Sequence, residues 1–231
     1  MRRVENFTKI LQRIVGQARF APTLSSWQDT VEVSKNFQND FEHWRIENRQ
    51  DVTLFSSDDN KLLQIMYNSI LYLNENSENI TELSEKLKKS FVLINNDDNK
   101  FQHLGFRNVQ ILGCEFEFNE LVDLLYKKIY TNNILNISSD KVKDVLFSIN
   151  AIKDDINNNV VLGPVTKTEG LQRFNSQFNI DDCVLEMDKY KSFLFIDVDA
   201  YIKSGEDIKK IDALIAKNLE IISSYINYIK K

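Results

Sequence analysis

The sequence is poor in the residues that build most metal sites and nucleophilic centres. Its 231 residues include two cysteines, Cys114 and Cys183, and two histidines, His43 and His103. A structural zinc site takes about four Cys/His ligands with at least one close pair. Neither cysteine belongs to a C-x-x-C, so that class is excluded. Both sit among apolar neighbours ("ILGCEF", "DDCVLEM") and read as buried free thiols. Glycine (6) and proline (2) are scarce beside 25 asparagines, a mark of low-G+C coding rather than of mechanism. No G-x-G-x-x-G, no phosphate loop ending in Gly-Lys-Ser/Thr and no G-x-S-x-G elbow occurs. No apolar run approaches the ~20 residues that span a bilayer. The opening "MRRVENFTKILQRIVGQ" is interrupted by Glu5, Lys9, Gln12 and Arg13, without the apolar stretch of a secretory signal. The expectation is a cytoplasmic protein with no membrane association. Positive charge is also short: the net charge is −5. Wholesale binding of a phosphate backbone needs clustered Lys and Arg, whereas "EKLKK", "DIKK" and "YIKK" read as solvated helix faces.

What is present is periodicity. Residues 61–94 run from a strand-like segment ending at Leu73, through a polar turn, into a helix with Ile80, Leu83, Leu87 and Phe91 on one stripe. Residues 191–229 repeat the plan. A strand-like run is followed by "SGED" with Ser204 as a capping hydroxyl, then by a helix from about 206. That helix carries Ile208, Ile211, Ile215, Leu219, Ile222, Ile226 and Ile229 on one face. Upstream of each lies a strand and a helix. The first helix, around 26–45, places Val33, Phe37, Phe41 and Trp44 on one face, with Ser25 or Ser26 as N-cap. The second, around 119–130, turns Leu121, Leu124, Leu125 and Ile129 inward, with Asn119 as N-cap. The sequence thus predicts an α+β fold built from a duplicated strand-helix-strands-helix unit. Its antiparallel sheet carries helices packed on one face, like the saddle of TATA-binding proteins or a helix-grip cradle. The repeats are 8–96 and 101–230, divided by "NNDDNK", and the second holds an insertion-rich stretch, 131–182. There "SSDKVKDVLFSINAI" reads as a short helix and "NNNVVLGPVTKTEGLQRFNSQF" as strands joined by turns.

Three motifs in this order, "RFAPTLSSW" (19–27), "HLGFRNVQIL" (103–112) and "FLFIDVDAY" (193–201) before a long closing helix, resemble a sporadically distributed, largely uncharacterised family of bacterial and archaeal proteins of about this length. Its pattern has an Arg-Phe-x-Pro start with a following Trp, a central Gly-Leu-Arg-Tyr-x-Asn-like strand, and an Asp-containing closing strand. Here Phe106 stands in place of the Leu, and "FRNV" where "LRYIN" is the pattern. The resemblance implies no catalytic residues. The family's patchy distribution implies mobile-element or phage-defence genes.

The sharpest chemical candidate is "FIDVD". Side chains two apart on a strand share a face, so Asp197 and Asp199 are placed to hold Mg²⁺ for phosphoryl transfer, with Glu186, Asp188 and Lys189 on the preceding strand or turn. Against this stands a polar pair on an exposed strand face, opposite a core face of Leu194, Ile196, Val198 and Ala200. The pairs Asp58/Asp59, Asp97/Asp98, Asp154/Asp155 and Asp181/Asp182 fit turns, which aspartate caps. His103 and Arg107 offer an anion site, or else Arg107 pairs with a strand carboxylate. The reading preferred is a non-enzymatic interaction protein. Its exposed sheet face, with Phe195, Asp197, Asp199, Tyr201, Arg107, Arg19 and, in the first repeat, Tyr67, engages a protein partner or a second subunit and uses no cofactor. A phosphoryl-transfer enzyme with Asp197 and Asp199 at its metal, and a nucleic-acid or nucleotide binder using Arg19 and Arg107, are the alternatives.

Overall fold

The computed structural model describes residues 7–47, 51–77, 79–94, 100–130 and 142–230. Asp97/Asp98 and the start of the 131–182 stretch lie outside the described residues. Nine strands are β1 (Thr8–Arg19), β2 (His43–Glu47), β3 (Asp51–Ser56), β4 (Lys61–Met66), β5 (Ser69–Glu75), β6 (His103–Cys114), β7 (Phe147–Lys153), β8 (Ile156–Val165) and β9 (Ser192–Ile202). They form one open sheet in the order β2-β3-β4-β5-β1-β6-β9-β8-β7. Every neighbouring pair is antiparallel. The long strands β1 and β6 meet at the centre, Gly16 opposite Phe106.

Alternation along these strands assigns each side chain to a face. Leu194, Ile196, Val198 and Ala200 of β9 and Leu104, Phe106 and Leu112 of β6 are buried on one face, as their spacing requires. Against that face pack α1 (Leu24–Lys35), α2 (Ile80–Ile94), α3 (Phe118–Ile129) and α6 (Lys210–Lys230). The stripe of α2 buries Leu83, Leu87 and Phe91. Gly16 lets this helix approach, since a Cβ there would stand 2.7 Å from Leu83 Cδ2. Helix α6 buries Ile211, Leu214, Ile215, Ile222 and Ile229, each worth roughly 1.5–3 kcal/mol. At its centre the fully buried Asn218 donates to Val198 O (2.7 Å) and Phe106 O (3.3 Å), tying the helix to β9 and β6.

The helices are not confined to one face. Phe193 and Phe195, with Val109 and Ile111 of β6, belong to a second core under α4 (Lys167–Phe174) and α5 (Asp181–Met187). β9 is therefore apolar on both sides over its first half, and only its second half reaches an uncovered face. Phe195, expected at an exposed face, is accordingly buried, with the Arg173 guanidinium 5.5 Å from its ring centroid. The α4–α5 layer is anchored to the first-half strands by Glu75, whose side chain is wholly buried. Its carboxylate pairs with Arg13 at 2.6 Å and accepts from Gln177 N (3.2 Å) and the Ser176 hydroxyl. Arg13 also donates to Asn175 O (2.8 Å) and lies 4.7 Å from the Phe174 ring centroid.

Several expected elements change. Helix α1 ends at Lys35, a 3-10 turn covers Gln38–Asp40, and Trp44 lies exposed on β2. Val33, Phe37 and Phe41 are nevertheless buried, because the turn keeps the aromatic spacing while the helix stops. Its N-cap is Thr23, in a capping box with Ser26; that of α3 is Glu117, paired with Glu120. The run 61–73 is the hairpin β4–β5, reversing at Tyr67–Asn68. Within "SSDKVKDVLFSINAI", whose first four residues lie outside the described residues, 147–152 belong to β7 in place of a helix and pair with β8. "TKTEGLQRF" is α4, opened by a Thr166–Glu169 capping box. Asp181 and Asp182 start α5 instead of a turn, in the first-turn position that the helix dipole favours for acids. Ser204 does not cap α6. Gly205 is bridged to Phe101, and Asp207 accepts from Lys209 N (2.9 Å) just before the helix. Cys114 is buried and Cys183 half-buried.

Candidate functional site

The uncovered part of the second face runs over β1, β6 and β9 beyond the α4–α5 layer. One transverse row crosses all nine strands: His43, Phe55, Leu62, Leu73, Val15, Arg107, Asp199, Asn159, Asn150. Phe55, Leu62, Val15, Asp199 and Asn159 are half-buried: they are walled in by strand neighbours yet open above. In the adjoining row Gln64, Leu71 and Gln17 lead through Gly105 to Tyr201 and Asn157.

Arg107 reaches diagonally from β6 to Asp197, with Nε to Oδ1 at 2.9 Å and Nη2 to Oδ2 at 2.6 Å. This is the bidentate fork that guanidinium and carboxylate form. The pairing with a strand carboxylate is the second of the two readings of Arg107. The hydrogen bonds to Asp197 hold the Arg107 pKa above its ordinary value, against burial. Asp199 lies directly across from Arg107 but receives none of these hydrogen bonds, nor any other among the described residues. Burial pushes the Asp199 carboxyl above the usual carboxylate range; the Arg107 charge opposes this and the Asp197 charge adds to it.

At the other end of this patch His103 stacks on Tyr201, ring centroids 5.3 Å apart and 28° from parallel. Gly105 makes room for the stack, since a Cβ there would lie 2.9 Å from His103 Nε2 and 3.5 Å from Tyr201 Cβ. Burial, with the charge of Arg19, lowers the His103 pKa. Arg19 is exposed at the end of β1, opposite His103 in register.

Fold geometry therefore brings Arg19, Arg107, Asp197, Asp199 and Tyr201 onto one face. Tyr67 is exposed in the β4–β5 turn, off the row of strand residues; its carbonyl accepts from the Ser26 hydroxyl at 2.9 Å. Glu186, Asp188 and Lys189 do not join the aspartates. Glu186 pairs with Lys189, and Asp188 with Lys167 at 2.5 Å. Among the described residues no group of three or more His, Cys, Asp or Glu side chains could hold a metal ion. The carboxylate pair faces a guanidinium, which supplies the countercharge a cation would. Sequence reasoning missed Val15, Gln17, Leu62 and Asn159 as members of the face. The alternation of "VGQAR" in β1 is the signal that points to the first two.

No described helix is long and apolar enough to cross a membrane. No protein-family model matches the chain, and no curated protein matches it.

Proposed function

We propose that the chain is a binding protein that engages a protein partner through the uncovered sheet face of β1, β6 and β9. The observation that carries this reading is the row in which half-buried Phe55, Leu62 and Val15 run into the Arg107–Asp197 fork and Asp199 with no described helix above them. An apolar floor beside fixed charges and an aromatic stack suits a protein interface, where apolar contact supplies affinity and charge sets register. The net charge of −5 favours a protein over nucleic acid. The likeness of "RFAPTLSSW", "HLGFRNVQIL" and "FLFIDVDAY" to the sporadically distributed family supports an accessory role in a mobile-element or defence system. We also infer a duplicated unit. The central positions of β1 and β6, each flanked by a strand (β5, β9) that feeds a covering helix (α2, α6), support that inference.

The test is quantitative capture of interacting proteins from the native host with the intact chain, followed by calorimetry with the purified partner. Tyr201→Ala and Asp199→Asn should each weaken a specific partner about 10-fold or more, while Tyr228→Phe on the helix layer should not. Capture indifferent to both face variants refutes the reading. Stoichiometric Mg²⁺ binding lost on Asp197→Asn/Asp199→Asn, together with lost phosphate hydrolysis, would favour the enzyme.

A further inference from the structure

Strand β2 ends the sheet, and among the described residues nothing pairs with its outer edge. An open edge is a template for another strand, and proteins commonly blunt it with bulges, prolines or inward charges. This edge is not blunted on its helix-side face. Trp44 is 66 % exposed and Ile46 49 % exposed. They flank a groove of about 210 Å³ between α1 and the β2–β3 pair, whose wall includes Val31 and whose floor is Val52 and Leu54. The opposite side of β2 carries His43, Arg45 and Glu47, with Arg45 Nε 3.1 Å from Glu47.

We propose that β2 pairs antiparallel with β2 of a second copy, joining two sheets edge to edge about a two-fold axis at Arg45. The segment His-Trp-Arg-Ile-Glu pairs with itself about that residue; the two Arg45 side chains face each other at the axis, each neutralised by Glu47 of its own strand at 3.1 Å. Turned on itself, it sets Trp44 opposite Ile46 of the second copy, an aromatic with a β-branched side chain, twice over. His43 falls opposite Glu47 of the second copy. Two Arg45 and two Glu47 side chains then share the other face, four charges that sum to zero. A slip of one residue would set Trp44 against Glu47 and Ile46 against Arg45, so the pattern excludes that slip. The two-fold axis runs through the sheet, so both helix layers stay on one side and each α1 groove is closed by the other copy's apolar pair. The opposite edge lacks this property. Pairing β7 about Asn150 sets Ile152 against Ser148 and Phe147 against Lys153. The seam is at β2, four strands from β1 in the sheet order and away from Arg107, Asp199 and Tyr201, so seam variants and Asp199 or Tyr201 variants test the two proposals separately.

Sedimentation of the full chain, with variants of the edge, tests this. The wild type should sediment as a dimer at about 100 µM and dissociate on dilution. Glu47→Arg places four arginines on one side of the seam and should raise the dissociation constant at least about 10-fold. The charge swap Arg45→Glu/Glu47→Arg restores alternation and should recover most of the wild-type affinity. Ile46→Glu, at an exposed position, should give a folded monomer by circular dichroism. A wild type that stays monomeric at about 100 µM, or a Glu47→Arg variant that dimerises like it, overturns the proposal. A charge-swapped chain as weak as Glu47→Arg overturns the register.

Discussion

Replacing Glu75 with alanine tests the idea that the α4–α5 layer is held across the sheet by one buried carboxylate. The change removes the 2.6 Å pair with Arg13 and the acceptor for Gln177 N and Ser176. It leaves a guanidinium whose side chain is only 15 % exposed. Breaking a buried pair from one side costs about 3–5 kcal/mol. Arg13 keeps the Asn175 carbonyl and the Phe174 ring, which places the loss near the lower end, about 3 kcal/mol. For a chain of this size that corresponds to a fall in melting temperature of roughly 6–12 °C. Glu75→Gln, which retains an acceptor for Gln177, should lose about half as much. Urea unfolding should show a lowered midpoint at unchanged slope. Limited proteolysis should show faster cutting between Asn175 and Ile180. A double-mutant cycle with Arg13→Ala should return a coupling of at least about 1 kcal/mol. If Glu75→Ala falls within about 0.5 kcal/mol of wild type and the cycle shows no coupling, the anchoring argument is wrong and the layer is held by its apolar core alone.

Two further expectations follow from the face and the last helix. The raised pKa of Asp199 means that the folded state holds this proton more tightly than the unfolded chain does. Stability should therefore fall as pH rises from the ordinary carboxylate value through the raised one. Asp199→Asn should melt higher than wild type at neutral pH, and the gap should close below the ordinary carboxylate range; a gap independent of pH would refute the charge argument. Ending the chain at Gly205 removes five buried apolar anchors of α6 and the Asn218 tie and should yield insoluble or unfolded protein. A soluble, cooperatively folding truncated chain would mark α6 as an accessory arm.

Strong periodicity was legible in the sequence: α2, α3, α6 and the core face of β9 follow from apolar spacing alone. Trp44 misled because Val33, Phe37, Phe41 and Trp44 keep helical spacing across a break that leaves no glycine or proline to announce it. The hairpin at Tyr67–Asn68 is quiet for the same reason. The second helix layer carried two signals, each outweighed. Phe193 and Phe195 make β9 apolar on both sides, which demands cover on both, and Thr166 with Glu169 spells a capping box inside a run rich in strand formers. Asp197, Asp199 and Tyr201 were placed on a common face by strand parity. Their meeting with Arg107 and His103 depends on the β6–β9 register, which no local pattern encodes.

The central pairing of β1 with β6 also fixes an order of events in synthesis. β1 can pair with β5 once the first half of the chain has emerged, but its other edge waits for residues 103–114. From the end of β5 to the end of β6 is 39 residues, so at ribosomal rates of about 5–20 residues per second that wait lasts roughly 2–8 s. Contacts this distant in sequence also slow the closing step once both partners are present. For that interval the innermost strand of the finished sheet is an outermost one. Lys9, Arg13 and Arg19, spaced along it, are the charges that edge strands carry against the wrong partner.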